Sequence, residues 1–186
     1  MKAEDVFKDL PVLETDRTIL RKLRLEDAQD IFEYCSDDEV SQYTTWFSHL
    51  TLEDTAGFIE RVLNAYHNGE AASWGIEHKQ TGKLIGTCGF VHWNIAHSKA
   101  ELGYALSGKF WNQGFMSEVT RRIIQFGFEK MALVRIEARC HLENRGSARV
   151  MEKSGMEFEG ILRKHIFTKG EYQDVNMYSI IRNNNA

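Results

Sequence analysis

Proline is nearly missing from this chain: among 186 residues only Pro11 is one. Helices and strands can therefore run without the breaks proline imposes, and no Pro-rich linker divides the sequence. Internal repeats and low-complexity segments are absent too. A single domain over residues 1–186, with its core over about 13–182, is the expectation, since this length falls within the usual single-domain range.

Cysteine is also scarce. Cys35, Cys88 and Cys140 lie far apart on apolar faces, without the C-x-x-C spacing that zinc or dithiol chemistry uses. They read as buried free thiols. The seven histidines are scattered and show no i, i+4 pairing on a helix, so no metal site is expected. No apolar run approaches the roughly 20 residues that cross a bilayer, and Met1–Pro11 lacks the apolar centre of a secretory signal. A cytoplasmic protein is expected. The formal net charge of −4 argues against nucleic-acid binding through a basic face, while leaving room for a basic substrate.

What is present suffices for a core: 42% of residues are hydrophobic and 11% aromatic, enough apolar surface to offset the entropy of ordering. Thr18–Arg24 alternates like a strand without declaring its buried face, and Glu26–Cys35 carries Ala28, Ile31, Phe32 and Cys35 at helical spacing. Thr51 and Asp54 form a capping box ahead of the stripe Leu52, Ile59, Val62, Leu63 and Tyr66, which Gly69 stops. Ser73–His78 and Lys83–Trp93 flank the turn Gln80-Thr81-Gly82 as a hairpin. Ala100–Leu106 is a strand, Gly114–Met131 an amphipathic helix, and Val134–Cys140 a strand with Val134, Ile136, Ala138 and Cys140 on one face. Strand, helix, strand implies a parallel pair. Asn144 caps a short helix to Lys153 that Gly155 ends, and Phe158–Phe167 with Tyr172–Ile181 close a hairpin around Lys169-Gly170. The sum is an α+β domain with a mixed, mostly antiparallel sheet.

The segment Phe110-Trp111-Asn112-Gln113-Gly114-Phe115-Met116-Ser117 joins a strand to a helix. Such a turn gathers unpaired main-chain amides at the positive end of the helix dipole, which suits a phosphate group. Neither nucleotide fingerprint fits, because G-x-x-x-x-G-K-[ST] and G-x-G-x-x-G are both absent.

Here the residues resemble a known family. Glu101-Leu102-Gly103-Tyr104-Ala105-Leu106, followed by Trp111-Asn112-Gln113-Gly114-Phe115-Met116-Ser117-Glu118, is similar to motif A (Q/R-x-x-G-x-G/A) of the GNAT acetyltransferase superfamily. Asn144-x-x-Ser147, Gly155-x-x-x-Glu159-Gly160 and Gly170-x-Tyr172-x-Asp174-Val175-x-Met177-Tyr178 place the similarity in its ribosomal-protein-serine branch, over about Leu13 to Ile181. Trp111 stands at the usual Gln/Arg position and Met116 at the final Gly/Ala position. The first change removes a side-chain donor, but main-chain amides still suffice to cradle a pyrophosphate.

The resemblance implies a GNAT-like sheet with a splayed parallel strand pair and flanking helices, and acetyl-CoA as the acetyl donor. It implies that Tyr104, Ala105 and Leu106 meet the pantetheine arm as an added strand would, with Gly103 permitting close approach. It also implies that Trp111, Asn112, Gln113, Gly114, Phe115, Met116 and Ser117 hold the pyrophosphate, with Asn144 beside the arm. The acceptor it implies is a primary amine: a protein N-terminal α-amino group of the ribosomal type, or a small molecule such as a polyamine, an antibiotic or an amino acid. A non-catalytic acyl-CoA-binding module is a third reading. No nucleic acid or membrane partner is implied, and a homodimer through a sheet edge is compatible with the chain.

Amine acetylation needs a base, oxyanion donors and an acid for sulfur. Glu101 is the candidate base, against a reading in which it merely pairs with Arg135 or Arg139. Ser147 resembles the serine proposed to protonate the leaving thiolate, against a hydroxyl bonding within its own helical turn. His165 is an alternative base, and Tyr104, Tyr172 and Tyr178 alternative acids. Trp46, Phe47, Trp74, Phe90, His92 and Trp93 either wall the acceptor site or pack the core.

Overall fold

The computed structural model describes residues 3–182. In chain order the elements are α1 (Ala3–Lys8), β1 (Leu13–Glu14), β2 (Thr18–Arg21), α2 (Ala28–Cys35), α3 (Asp38–Ser41), α4 (Leu52–Asn68), β3 (Ser73–His78), β4 (Leu84–Asn94), β5 (Lys99–Leu106), α5 (Phe115–Lys130), β6 (Arg135–His141), α6 (Arg145–Lys153), β7 (Glu157–Thr168) and β8 (Glu171–Ile181). The strands form one eight-stranded sheet in the order β1-β2-β3-β4-β5-β6-β8-β7. Among the described residues only the β5 and β6 neighbours are parallel, joined through α5.

Local chemistry explains most of these boundaries. Thr51 Oγ1 accepts the Asp54 amide at 3.2 Å, and Asp54 Oδ2 accepts the Thr51 amide at 2.9 Å, so α4 starts on a reciprocal cap. It stops at Gly69, which is left-handed. The closing hairpin turns through left-handed Lys169 and Gly170, the geometry that matches strand twist. β2 is shorter than the alternation suggests and ends at Arg21. Val134 is not in β6 and is exposed, whereas Ile136, Ala138 and Cys140 are buried as expected.

Helices cover both faces of the sheet centre, so Leu84–Phe90 of β4 is buried throughout. On one side Val119, Ile123 and Phe126 of α5 pack with Trp74, Phe90, Leu102 and Ile136. Leu23, Ile31, Tyr34, Cys35, Ile59 and Leu84 make a second cluster under α2 and α4. Among the described residues no helix is long and apolar enough to cross a membrane.

Candidate active site

β5 and β6 pair only at Lys99 with Arg135, Ala100 with Ile136 and Glu101 with Glu137. Beyond Glu101 the strands part: β5 continues to Leu106 along β4, while β6 continues to His141 along β8. Gly103, Tyr104, Ala105 and Leu106 therefore border a gap within the sheet. A gap of this kind leaves strand-edge amides and carbonyls free to pair with an extended ligand.

At the end of β5 the chain makes a short helical turn over Gly108–Phe110 and enters α5 through Asn112 (φ 60°) and Gly114 (φ 82°), both left-handed. Trp111 is held by its indole N–H, which donates to Leu106 O at 2.8 Å, and Gln113 Nε2 donates to Lys109 O at 2.8 Å. Phe115 is buried edge-on to Phe110, with ring centroids 5.5 Å apart. These anchors fix the turn while leaving its donors open. Among the described residues none of the amides from Asn112 to Ser117 donates to a main-chain or side-chain acceptor, and no side chain caps α5. Open donors converging on a helix start are the make-up of an anion cradle, so the residues present fit a diphosphate.

Across the gap α6 begins at Asn144, whose Oδ1 accepts the Ser147 amide at 2.9 Å. The Ser147 hydroxyl does not bond within its own turn. It meets the Tyr104 hydroxyl at 2.8 Å, and that hydroxyl also lies 3.1 Å from Ser147 O. Burial pushes the Tyr104 phenol well above its ordinary range. Tyr178, raised by burial and then by Glu152, donates to Glu152 Oε1 at 3.3 Å. Tyr172 is exposed and packs edge-on to Phe167, away from this pair.

The opposite face of the parting strands is charged. Glu101 Oε1 pairs with Arg139 Nε at 2.7 Å, so of its two candidate partners it takes Arg139. Arg135 pairs with Glu137 at 2.6 Å and with Glu159 at 2.5 Å, and Lys99 reaches Glu137 at 3.2 Å. Arg135, then Ser179, hold the Glu159 carboxyl down at about 2. Glu137 is raised by burial but lowered more by Arg135 and Lys99, and ends below its ordinary value. A cleft of about 520 Å3 opens here, bordered by Glu101, Glu137, Glu159, His92, His165 and Arg135 among others. His165 and Glu101 thus share one cleft, although they lie on different strands of the sheet.

A Cβ on Gly103 would come within 2.8 Å of Val91 Cγ1, so the glycine makes room for a neighbouring strand's side chain. Val91 is the extra residue of a bulge between Phe90 and His92. The bulge sets Phe90 and His92 apart, Phe90 fully buried in the core and His92 bordering the cleft; Trp74 is also fully buried, and Phe47 is 71% exposed.

Sequence reasoning misses Arg17, which lies between β1 and β2 and donates through Nη1 to Gln113 O at 3.0 Å. No local pattern marks it, because its partners lie far along the chain. The three thiols are buried, and among the described residues no cluster of His, Cys, Asp and Glu is arranged to hold a metal.

A family model described as an acetyltransferase (GNAT) domain matches residues 17–157. The uncharacterised N-acetyltransferase YoaA of Bacillus subtilis (strain 168) is 37% identical over 172 residues, covering 92% of this chain and 97% of its own. The ribosomal-protein-serine acetyltransferase of Escherichia coli (strain K12) is 28% identical over 129 residues, 69% of this chain and 71% of its own. The crystal structure of an acetyltransferase (GNAT family) from Bacillus anthracis matches with a TM-score of 0.81 at 31% identity, covering 92% of this chain and 98% of that one.

Proposed function

The chain belongs to the GNAT acetyltransferase family and is an N-acetyltransferase; on that premise we propose that it uses acetyl-CoA to acetylate a primary amine, the α-amino group of a protein N-terminus of the ribosomal-protein-serine type. The observation that carries this reading is the parting of β5 from β6 beside an open turn whose amides from Asn112 to Ser117 have no acceptor among the described residues. The likeness to the E. coli ribosomal-protein-serine acetyltransferase supports the acceptor class.

In this reading the amides of Asn112–Ser117, with Trp111 fixing the turn, hold the diphosphate, and the β5 edge at Tyr104–Leu106 holds the pantetheine arm beside Asn144. The bound donor supplies an activated acyl carbon. Glu101 takes the acceptor's ammonium proton through a water, and Arg139 keeps its carboxylate in place. The Ser147 hydroxyl, fixed by Tyr104, would give a proton to the departing sulfur and regain one from the acceptor nitrogen, which sheds its second proton as the amide forms. The face opposite α5 receives the amine.

One observation favours a small-molecule acceptor instead. Each carboxylate paired at the parting point is matched by Lys99, Arg135 or Arg139, so the face offers no net acidic bed for a basic protein tail. A screen of N-terminal peptides, polyamines, aminoglycosides and amino acids with acetyl-CoA, followed by release of free coenzyme A, decides between them. Turnover of peptides supports the first reading, and turnover of small amines alone replaces it with the second. Acetyl-CoA binding without turnover of any amine leaves only a binding module.

A further inference from the structure

We propose that Arg17 is the positioning residue of the diphosphate cradle: from the turn between β1 and β2 it grips the chain on both sides of Gly114 and so presets the loop for an anion. This inference rests on the reading of acetyl-CoA as the donor.

Ahead of Gly114, Arg17 Nη1 donates to the carbonyl of Gln113 at 3.0 Å. Behind it, the Arg17 amide donates to Glu118 Oε1 at 3.0 Å and Nε to Glu118 Oε2 at 2.8 Å, with Nη2 2.7 Å from the same oxygen. The guanidinium also lies over the Phe115 ring, 3.9 Å from its centroid. One side chain thus joins the residue before the left-handed glycine to the first turn of α5.

Two consequences follow for an anion. A trans peptide unit is planar, with its C=O and N–H pointing opposite ways, so fixing Gln113 O against the guanidinium turns the Gly114 N–H away from Arg17. Glu118 would otherwise leave a bare negative charge one turn from the open amides, where a helix start favours anions. Burial raises its carboxyl, but bonds from Thr15 and Arg17 outweigh that and keep it below its ordinary value, so it stays ionised. Arg17 cancels that charge in place. Lysine cannot do the same, because a single ammonium lacks the planar fork that reaches a carboxylate and a carbonyl together.

The test is calorimetric titration of acetyl-CoA into the wild-type chain and the Arg17→Ala, Arg17→Lys and Arg17→Ala/Glu118→Gln variants, at two salt concentrations, with ligand-free melting to confirm folding. Loss of charged hydrogen bonds at this scale predicts that Arg17→Ala weakens binding about 10- to 100-fold, more at low salt. Arg17→Lys should recover little, and removing the Glu118 charge should recover part of the loss. Wild-type affinity in folded Arg17→Ala or Arg17→Lys overturns the proposal while leaving the acetyl-CoA reading intact, as does a double variant that binds no better than Arg17→Ala. A wild-type chain that binds no acetyl-CoA overturns both.

Discussion

Tyr104 and Ser147 meet across the gap between β5 and α6, their hydroxyl oxygens 2.8 Å apart. The phenol comes from the strand that borders the gap and the serine from the first turn of the helix beyond it. The contact fixes one rotamer of a hydroxyl that would otherwise bond to its own helix. If Ser147 is the proton donor to sulfur, its alignment depends on Tyr104.

Tyr104→Phe should therefore lower stability by about 1 kcal/mol, the usual net value of one hydrogen bond, read by chemical denaturation. Ser147→Ala should lower kcat about 100-fold, the scale of a lost general acid, with KM for acetyl-CoA nearly unchanged. Unaltered kcat in Ser147→Ala removes the serine from the chemistry.

Glu101→Gln should lower kcat by a similar factor at neutral pH and leave acetyl-CoA binding as it was, because the side chain borders the charged cleft proposed to receive the amine. Measured turnover equal to wild type would reduce Glu101 to the structural partner of Arg139. His165, on the same cleft, would then be the next base to replace.

Acid stability should depend on Glu159. Arg135 lowers its carboxyl from an ordinary value of 4.5 to about 2 in the folded chain. A lowered folded value contributes stability above the unfolded value and loses it as pH falls through the folded one. The difference in melting temperature between wild type and Glu159→Gln should thus be full at pH 6 and shrink between roughly pH 5 and 2. A difference constant over that range contradicts the assignment. The effect should be small, since the carboxylate is 41% exposed.

The thiols should be silent in the native state. Burial raises all three, Cys35 to about 12, and the thiolate is the reactive form. A thiol reagent should titrate three groups only after denaturation, so release of coenzyme A can be followed without background. Fast native labelling would show that one of them is accessible.

Much of this architecture was legible in the sequence, for reasons particular residues show. The Thr51–Asp54 cap, the Gly69 stop and the Lys169-Gly170 turn each act within a few residues, and the alternation in β6 reports a strand with one face in the core. Where structure depends on distant partners the sequence is mute. Arg17 works through groups 96 and 101 residues away, and the bulge at Val91, which turns His92 into the cleft and Phe90 into the core, leaves no mark in composition. Ser147 and Tyr104 were both visible as candidates, but their pairing was not, because it spans the very gap that opens between the strands.

The most direct test of the central claim is titration of acetyl-CoA into the wild-type chain and into Gly114→Val. The wild type should bind one equivalent and melt higher by an amount that grows with ligand, about 2.7 kcal/mol of added stability at a hundred times Kd. Gly114→Val cannot hold φ 82° without strain and should fold yet lose most of that affinity. Equal binding by the two proteins, or none by the wild type, would contradict the account.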